Sequence, residues 1–320
     1  GIASDRTRRR ESYSRILKIL ILTIIPVIFS TAIYNINQIL DLTFFNKIMA
    51  AQGFTEKEYM ALQGIYTGKY NTLINVPLAV ANGLAASVIP SLTMAVTAGE
   101  KKKIHSKIDQ CIRFTMLIAI PCFVGFVVLA SPLMILLYND AGTTPAWTLA
   151  QGAVTVILYS WSTVSNSILQ GLDEMVVPAK NAAISLAVHL AALLVMLIVF
   201  KWNIYALVLS NIVFSVCMCF LNARAIRRTC GYRQEIDKTF LKPLTAAVFM
   251  GIVTYLVHLL LDIFVGGRFV PTVIAILIAM PVYGVSVLKL GVLSRGDIRA
   301  LPRGNQIYQI CKKLRLLPPK

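Results

Sequence analysis

Residues 67–103 read TGKYNTLINVPLAVANGLAASVIPSLTMAVTAGEKKK. Thr67–Thr97 holds one charge, Lys69, at its very start. That length is ample to cross a hydrocarbon core of about 30 Å as a helix. Lys101, Lys102 and Lys103 follow three residues after Ala98. An apolar run closed by a lysine cluster is the pattern of a membrane helix whose basic end stays in the cytoplasm. Seven further runs of the same kind flank it: Ile16–Leu40, Phe114–Tyr138, Trp147–Leu169, Pro178–Phe200, Ile204–Ile226, Phe240–Val265 and Phe269–Leu290. The expected fold is all-α, a polytopic membrane protein with eight transmembrane helices.

The loops between these runs alternate in charge. One set contains the N-terminal segment, the loops around Lys101–Arg113, Lys180 and Arg224–Lys242, and the C-terminal tail. It carries 26 of the 31 lysines and arginines. The other set holds Lys47, Lys57, Lys69, Lys201 and Arg268. Positive loops stay inside, so eight spans with both termini cytoplasmic satisfy every loop, and an odd number breaks the alternation.

Only 14% of the 320 residues are charged, against about 25% in soluble proteins. The formal net charge of +17 sits beside apolar spans, where it meets anionic lipid headgroups. With no zinc-finger spacing or aromatic-basic ribonucleoprotein motif, nucleic acid is not an expected partner. The six cysteines lie in spans or on the cytoplasmic side with no C-x-x-C pair, so neither disulfides nor a metal site is expected. His189 and His258 stand alone in apolar surroundings and read as hydrogen-bonded core residues. No cofactor is implied.

The chain begins at Gly1, with Arg8-Arg9-Arg10 before the first run. It reads as an internal start in a longer protein, a cytoplasmic linker (1–15) leading into a second half. The expected domains are then a six-helix lobe (16–226), a basic loop (227–239), a helix pair (240–290) and a basic tail (291–320). Ile104, Ile108 and Ile112, at i, i+4 and i+8, predict a helix lying at the membrane interface before the third span. Ser294–Arg299 predicts a basic amphipathic helix. Pro26, Pro77, Pro90, Pro121 and Pro281 fall inside spans, where each removes a backbone donor and bends its helix.

Amides are costly in hydrocarbon unless paired or wet. Asn71, Asn75 and Asn82 share one helical face, with Lys69 near its outer end. Asn35, Asn37, Gln38 and Asp41 crowd the outer third of the first run. Thr155, Ser162, Asn166 and Gln170 step along the fourth; Asn181, Ser185 and His189 along the fifth; Asn211 and Ser215 stand on the sixth. These stripes are either hydrogen-bonding glue between helices or the wall of a hydrated cavity. The cavity candidates are Asn35, Gln38, Asp41, Lys69, Asn71, Asn75, Asn82, Asn166 and Gln170. Asp41 and Lys69, both placed near the outer surface, are expected to pair. A polyprenyl-lipid membrane enzyme is the alternative of another class. The 14 acids are scattered and no G-x-S-x-G, H-E-x-x-H or phosphate-cradling glycine loop is present, so no enzyme is expected. Bent helices with polar inner faces suit a carrier.

Three motifs carry a family resemblance. They are Gly68–Pro77 continued by Ala85-Ala86-Ser87-Val88-Ile89-Pro90-Ser91; Ile120-Pro121 with Leu129-Ala130-Ser131-Pro132; and Leu169-Gln170-Gly171-Leu172 with Pro178 shortly after. The chain resembles the polysaccharide transport branch of the multidrug/oligosaccharidyl-lipid/polysaccharide exporter superfamily, most closely the stage V sporulation protein B type. Ser294–Pro302 resembles that family's ending. The resemblance implies two six-helix lobes plus a C-terminal helix pair, of which this chain is the second lobe and the pair. It also implies a flippase moving a lipid-linked saccharide across the bacterial cytoplasmic membrane for cell-wall, peptidoglycan or spore-cortex synthesis. The partners would be the bilayer, that substrate and the missing first lobe. A cation-coupled multidrug exporter of the same fold is the alternative. One departure stands out: members often carry Gly and Lys in the helix after the L-Q-G turn, where this chain reads Ala187-Val188-His189.

Overall fold

The computed structural model describes residues 13–265, 269–293 and 308–309. The expected helix at Ser294–Arg299 and the linker before Tyr13 lie outside the described residues. Every regular element described is helical. The chain runs through α1 (Tyr13–Ala51), α2 (Glu56–Gly64), a wider π-type turn (Ile65–Tyr70), α3 (Asn71–Thr97), α4 (Lys101–Val128) and α5 (Ala130–Tyr138). It continues with α6 (Thr143–Gly152), α7 (Thr155–Gly171), α8 (Val177–Ile198), α9 (Ile204–Cys230), a second π-type turn (Asp237–Leu241), α10 (Lys242–Val265) and α11 (Phe269–Lys289).

Six helical stretches among the described residues are long and apolar enough to cross a membrane: Glu56–Thr97, Lys101–Val128, Val177–Ile198, Ile204–Cys230, Asp237–Phe264 and Phe269–Lys289. The run Ile16–Leu40 lies within α1. The run Trp147–Leu169 is divided between α6 and α7 by a break at residues 153–154.

Packing threads the bundle in the order α1, α8, α9, α7, then α3 and α4 together, then α10 and α11. The last pair attaches to the rest through α4 and α5. Gly251 permits the close approach of α10 to α4, because a Cβ there would lie 2.6 Å from Val124 Cγ1. Loops of like charge character gather at one end. There His105 Nε2 meets the Cys230 carbonyl at 2.8 Å and the Thr229 hydroxyl donates to Glu174. At the opposite end Gln52 donates to the Leu197 carbonyl at 2.7 Å, and Lys69 pairs with Asp140.

Three local readings are corrected. First, α1 does not end at Leu40 but continues to Ala51. Ile33, Asn37, Asp41, Phe45 and Met49, each four residues on, form one buried row, and this stripe carries the helix past its polar segment. Second, Ile104, Ile108 and Ile112 are buried in protein rather than laid on lipid. The start of α4 is held against the end of α9 by the His105 contact and by Tyr232, whose hydroxyl donates to Asp109. Third, Phe114–Tyr138 is interrupted at Leu129, three residues before Pro132, which has no N–H to offer the preceding turn.

Tyr70 accounts for the local geometry at the α6–α7 break. Its ring lies on Gly152 so closely that a Cβ there would be 2.3 Å from the ring. Its hydroxyl bonds Thr155 Oγ1 at 2.9 Å and donates to the Gly152 carbonyl at 3.2 Å. The carbonyl freed by the break is thereby satisfied.

Candidate functional site

Helices α1 and α3 diverge: α1 packs along α8, and α3 along α7 and α4. Between them opens a cavity of about 620 Å³, backed by α7 and α9. On α3 it is lined by Asn71, Ile74, Asn75, Leu78, Ala79 and Asn82, the i, i+3, i+4 face that helical spacing dictates. α1 contributes Asn35, Asn37, Gln38 and Asp41; α7 contributes Tyr159, Thr163, Asn166, Ser167 and Gln170. Tyr66, Tyr70 and Asn211 complete it.

Eight of the nine residues singled out from the sequence thus line one cavity. Asn35, Gln38, Asn75 and Asn82 are exposed, Asn71 and Gln170 half-buried, and Asp41 and Asn166 buried. The three α3 asparagines are not sealed between packed helices. The ninth residue, Lys69, does not join them. It follows Tyr66 by three positions and precedes Tyr70 by one, so the turn that aims both tyrosines inward carries Lys69 off that face. Its Nζ pairs with Asp140 on the α5–α6 turn and lies 5.9 Å from the centre of the Tyr138 ring. The hydrogen bond from Lys69, then the Gly142 N–H at 2.8 Å, holds the Asp140 carboxyl below its ordinary range. The stability this adds is present above the unfolded carboxylate pKa and is lost as pH falls through the lowered one.

The expected Asp41–Lys69 pair therefore does not form. Asp41 is buried, 1% exposed. Its partner is His189 on α8, itself fully buried, with Nε2 2.5 Å from Oδ1. Asn211 on α9 ties the group together. Its amide nitrogen donates to Asp41 Oδ2 at 2.8 Å and reaches Tyr66 Oη at 2.9 Å. Its carbonyl oxygen accepts from the Tyr159 hydroxyl at 2.6 Å and from Asn37 Nδ2 at 3.1 Å. A second chain of amides lies beneath: Asn181 donates to Asn222 at 2.9 Å, and Asn222 to Asn166 at 2.8 Å. Ser162, Ser165 and Ser215 bond backbone carbonyls of their own helices. The wall is thus supported by a paired polar network, which rigidifies when complete.

Sequence reasoning underused Tyr66, Tyr70, Tyr159, Thr163 and Ser167. Their signal was present: Tyr66, Tyr70, Ile74, Leu78 and Asn82 form one i+4 row, and Tyr159, Thr163 and Ser167 another. Chemically, amides and hydroxyls can match the hydroxyl and acetamido groups of a saccharide. No lysine or arginine lines the cavity among the described residues, so a phosphate would find no cation on this wall. No group of three or more potential metal ligands is present among the described residues.

Membrane-length helices opened on one side to a polar cleft, with an Asp–His pair held inside the bundle, define a polytopic helical membrane protein. The chain belongs to the lipid II flippase MurJ family, whose family model matches residues 6–275. It is 26% identical over 292 residues to the lipid II flippase MurJ of Bacillus subtilis (strain 168), covering 87% of this chain and 52% of that protein. It is 21% identical over 269 residues to the uncharacterized membrane protein YabM of the same organism, covering 82% and 49%. The fold is similar to a solved lipid II flippase MurJ in an inward closed conformation, with a TM-score of 0.62 at 16% identity, over 86% of this chain and 55% of that one. The chain spans about half the length of the curated relatives it matches.

Proposed function

We propose that this chain is the second lobe, with the C-terminal helix pair, of a flippase that carries a lipid-linked saccharide of the lipid II class across the bacterial cytoplasmic membrane. The observation that carries this reading is the amide-lined cavity between α1 and α3 in a chain of the MurJ family. The polar headgroup would occupy the cavity while the lipid tail stays in the bilayer. Alternating access would come from this lobe rocking against the first. The domain boundaries at 16–226, 227–239 and 240–290 follow the same division. The finer likeness to the stage V sporulation protein B type, and with it a role in sporulation, rests on the sequence motifs. A cation-coupled multidrug exporter is the competing reading. Buried Asp41 favours it; the predominance of amides and hydroxyls over apolar groups in the cavity favours the saccharide. Liposomes reconstituted with the full-length protein should expose lipid II to an outside probe, and residues 1–320 alone should not. Correctly inserted full-length protein that moves drugs and not lipid II would overturn the assignment.

The topology belongs to the same proposal: eight crossings, with α1 and the divided α6–α7 completing the six long stretches, and both ends cytoplasmic. A cysteine placed at Asn139 should react with an impermeant maleimide from outside, and one at Lys102 should not. The reverse pattern would invert the lobe.

A further inference from the structure

A second hollow, of about 380 Å³, lies at the end of the bundle opposite the Lys69–Asp140 pair. The α3–α4 turn, the α7–α8 turn and the end of α9 meet there. Val96, Ile104 and Leu172 give it an apolar floor, and Lys101, His105 and Thr229 stand at its rim. The sequence builds this joint locally. Gly99 (φ 68°) lets the chain turn back from α3 into α4, and Gly231 (φ 73°) ends α9. Cross-contacts then fix the three parts. His105 Nε2 lies 2.8 Å from the Cys230 carbonyl oxygen, and its ring meets Tyr232 edge-on at 5.7 Å. The Thr229 hydroxyl donates to Glu174. The hollow is thus shaped by the protein's own bonds.

The surface around it is positive. Lys101, Lys102, Lys107, Arg227 and Arg228 are exposed, and none has an acidic partner among the described residues. Lys103 is matched by Glu100. The acids next to Leu172 are Asp173 and Glu174, and Glu174 already accepts from Thr229. Cations around an apolar floor match an acidic ligand with an apolar part. The chain's own ends do not: residues 1–12 hold four arginines against two acids, and residues 294–320 hold seven lysines and arginines against one acid. The helices whose ends line the hollow, α3, α4, α7 and α9, are the central ones, with α1 and α8 to one side and α10 and α11 to the other. The hollow therefore stands at the bundle's end, away from the flanks against which acyl chains lie.

We propose that this hollow docks an acidic segment of a cytoplasmic protein. One large apolar side chain seats on Val96, Ile104 and Leu172, and flanking carboxylates meet Lys101 and the arginines in the last turn of α9. The volume is ample for a leucine side chain. Burial of that side chain supplies the affinity. The charges around it speed encounter and set orientation. An occupant touches all three turns at once and so ties their positions together. That the site faces the cytoplasm rests on the topology proposed above; the docking chemistry does not.

The test uses the full-length protein in nanodiscs and a fluorescent peptide of glutamates around a single leucine. The peptide should bind, less tightly as salt rises. Exchanging its leucine for serine should weaken binding by about tenfold to a hundredfold, the loss of one buried apolar side chain. Thr229→Trp, which fills the hollow, should abolish binding. Lys101→Glu should weaken it by about threefold or more and carries the test if Thr229→Trp does not fold. Both positions are exposed. Leucine and serine peptides that bind alike would overturn the proposal, because the basic surface alone would then suffice. So would unchanged binding in either folded variant. Binding seen in phosphatidylcholine discs but lost on adding phosphatidylglycerol would give the hollow to lipid instead. Displacement of the peptide by inorganic phosphate at constant ionic strength would reduce it to a simple anion site. No readout involves flipping, so loss of docking leaves the flippase reading standing, and loss of that reading leaves docking standing.

Discussion

Asp41→Ala should destabilise the folded lobe by about 3–5 kcal/mol, the cost of removing one partner from a buried, hydrogen-bonded ionisable pair. The residue meets His189 and Asn211 inside the bundle; truncation leaves His189 Nε2 without its partner and takes one of the acceptors from Asn211, which keeps Tyr66 and the Leu207 carbonyl. Asp41→Asn should cost less, because an amide oxygen still accepts from either neighbour. Unfolding in one detergent, followed for wild type and both variants, gives the comparison. An alanine variant within about 1 kcal/mol of wild type would mean that the pair is not shielded from water, since exposed pairs are worth no more than that.

Asn75→Leu should lower lipid II flipping by about threefold to thirtyfold while leaving insertion and unfolding temperature intact. The range corresponds to about 0.7–2 kcal/mol, one or two hydrogen bonds to the headgroup at about 0.7–1 kcal/mol each, at 1.4 kcal/mol per tenfold. Asn75 is exposed in the cavity and has no intramolecular side-chain hydrogen bond to lose. Asn166→Leu is the contrast. It breaks the bond from Asn222, so stability and transport should fall together. If Asn75→Leu melts early and its flipping per folded molecule is unchanged, the asparagine is packing glue and the cavity assignment fails.

Much of the architecture was legible in one dimension. Six span positions among the described residues follow from apolar run length, and the loops near His105, Glu174 and Cys230 meet at one end of the bundle. The asparagine face of α3 follows from spacing alone, because helical geometry leaves no other arrangement. What was hidden lay between helices. Asp41 and His189 are 148 residues apart, and no periodicity selects a partner at that range. Lys69 read as Asp41's partner because the two seemed level along antiparallel helices, but depth does not fix rotation about the helix axis. The length of α1 was missed for a related reason. Asp41, Asn46 and Lys47 resemble a loop until Phe45 and Met49 are seen to extend the buried row. The division of α6 from α7 could not be read either, since Tyr70 sits 82 residues away from the Gly152 it covers.

That tyrosine gives the lobe a mechanical property. The π-type turn ahead of α3 and the break between α6 and α7 interrupt the regular helix on either side of the cavity wall. A single phenol is clamped across both, its ring filling the glycine notch and its hydroxyl bonded on the far side. Bending at one joint loads the other, so the two hinges act as a linked pair. A wall of α3 and α7 tied in this way is expected to respond as one piece, which leaves α1, packed along α8 on the opposite side, as the separately held face of the cavity.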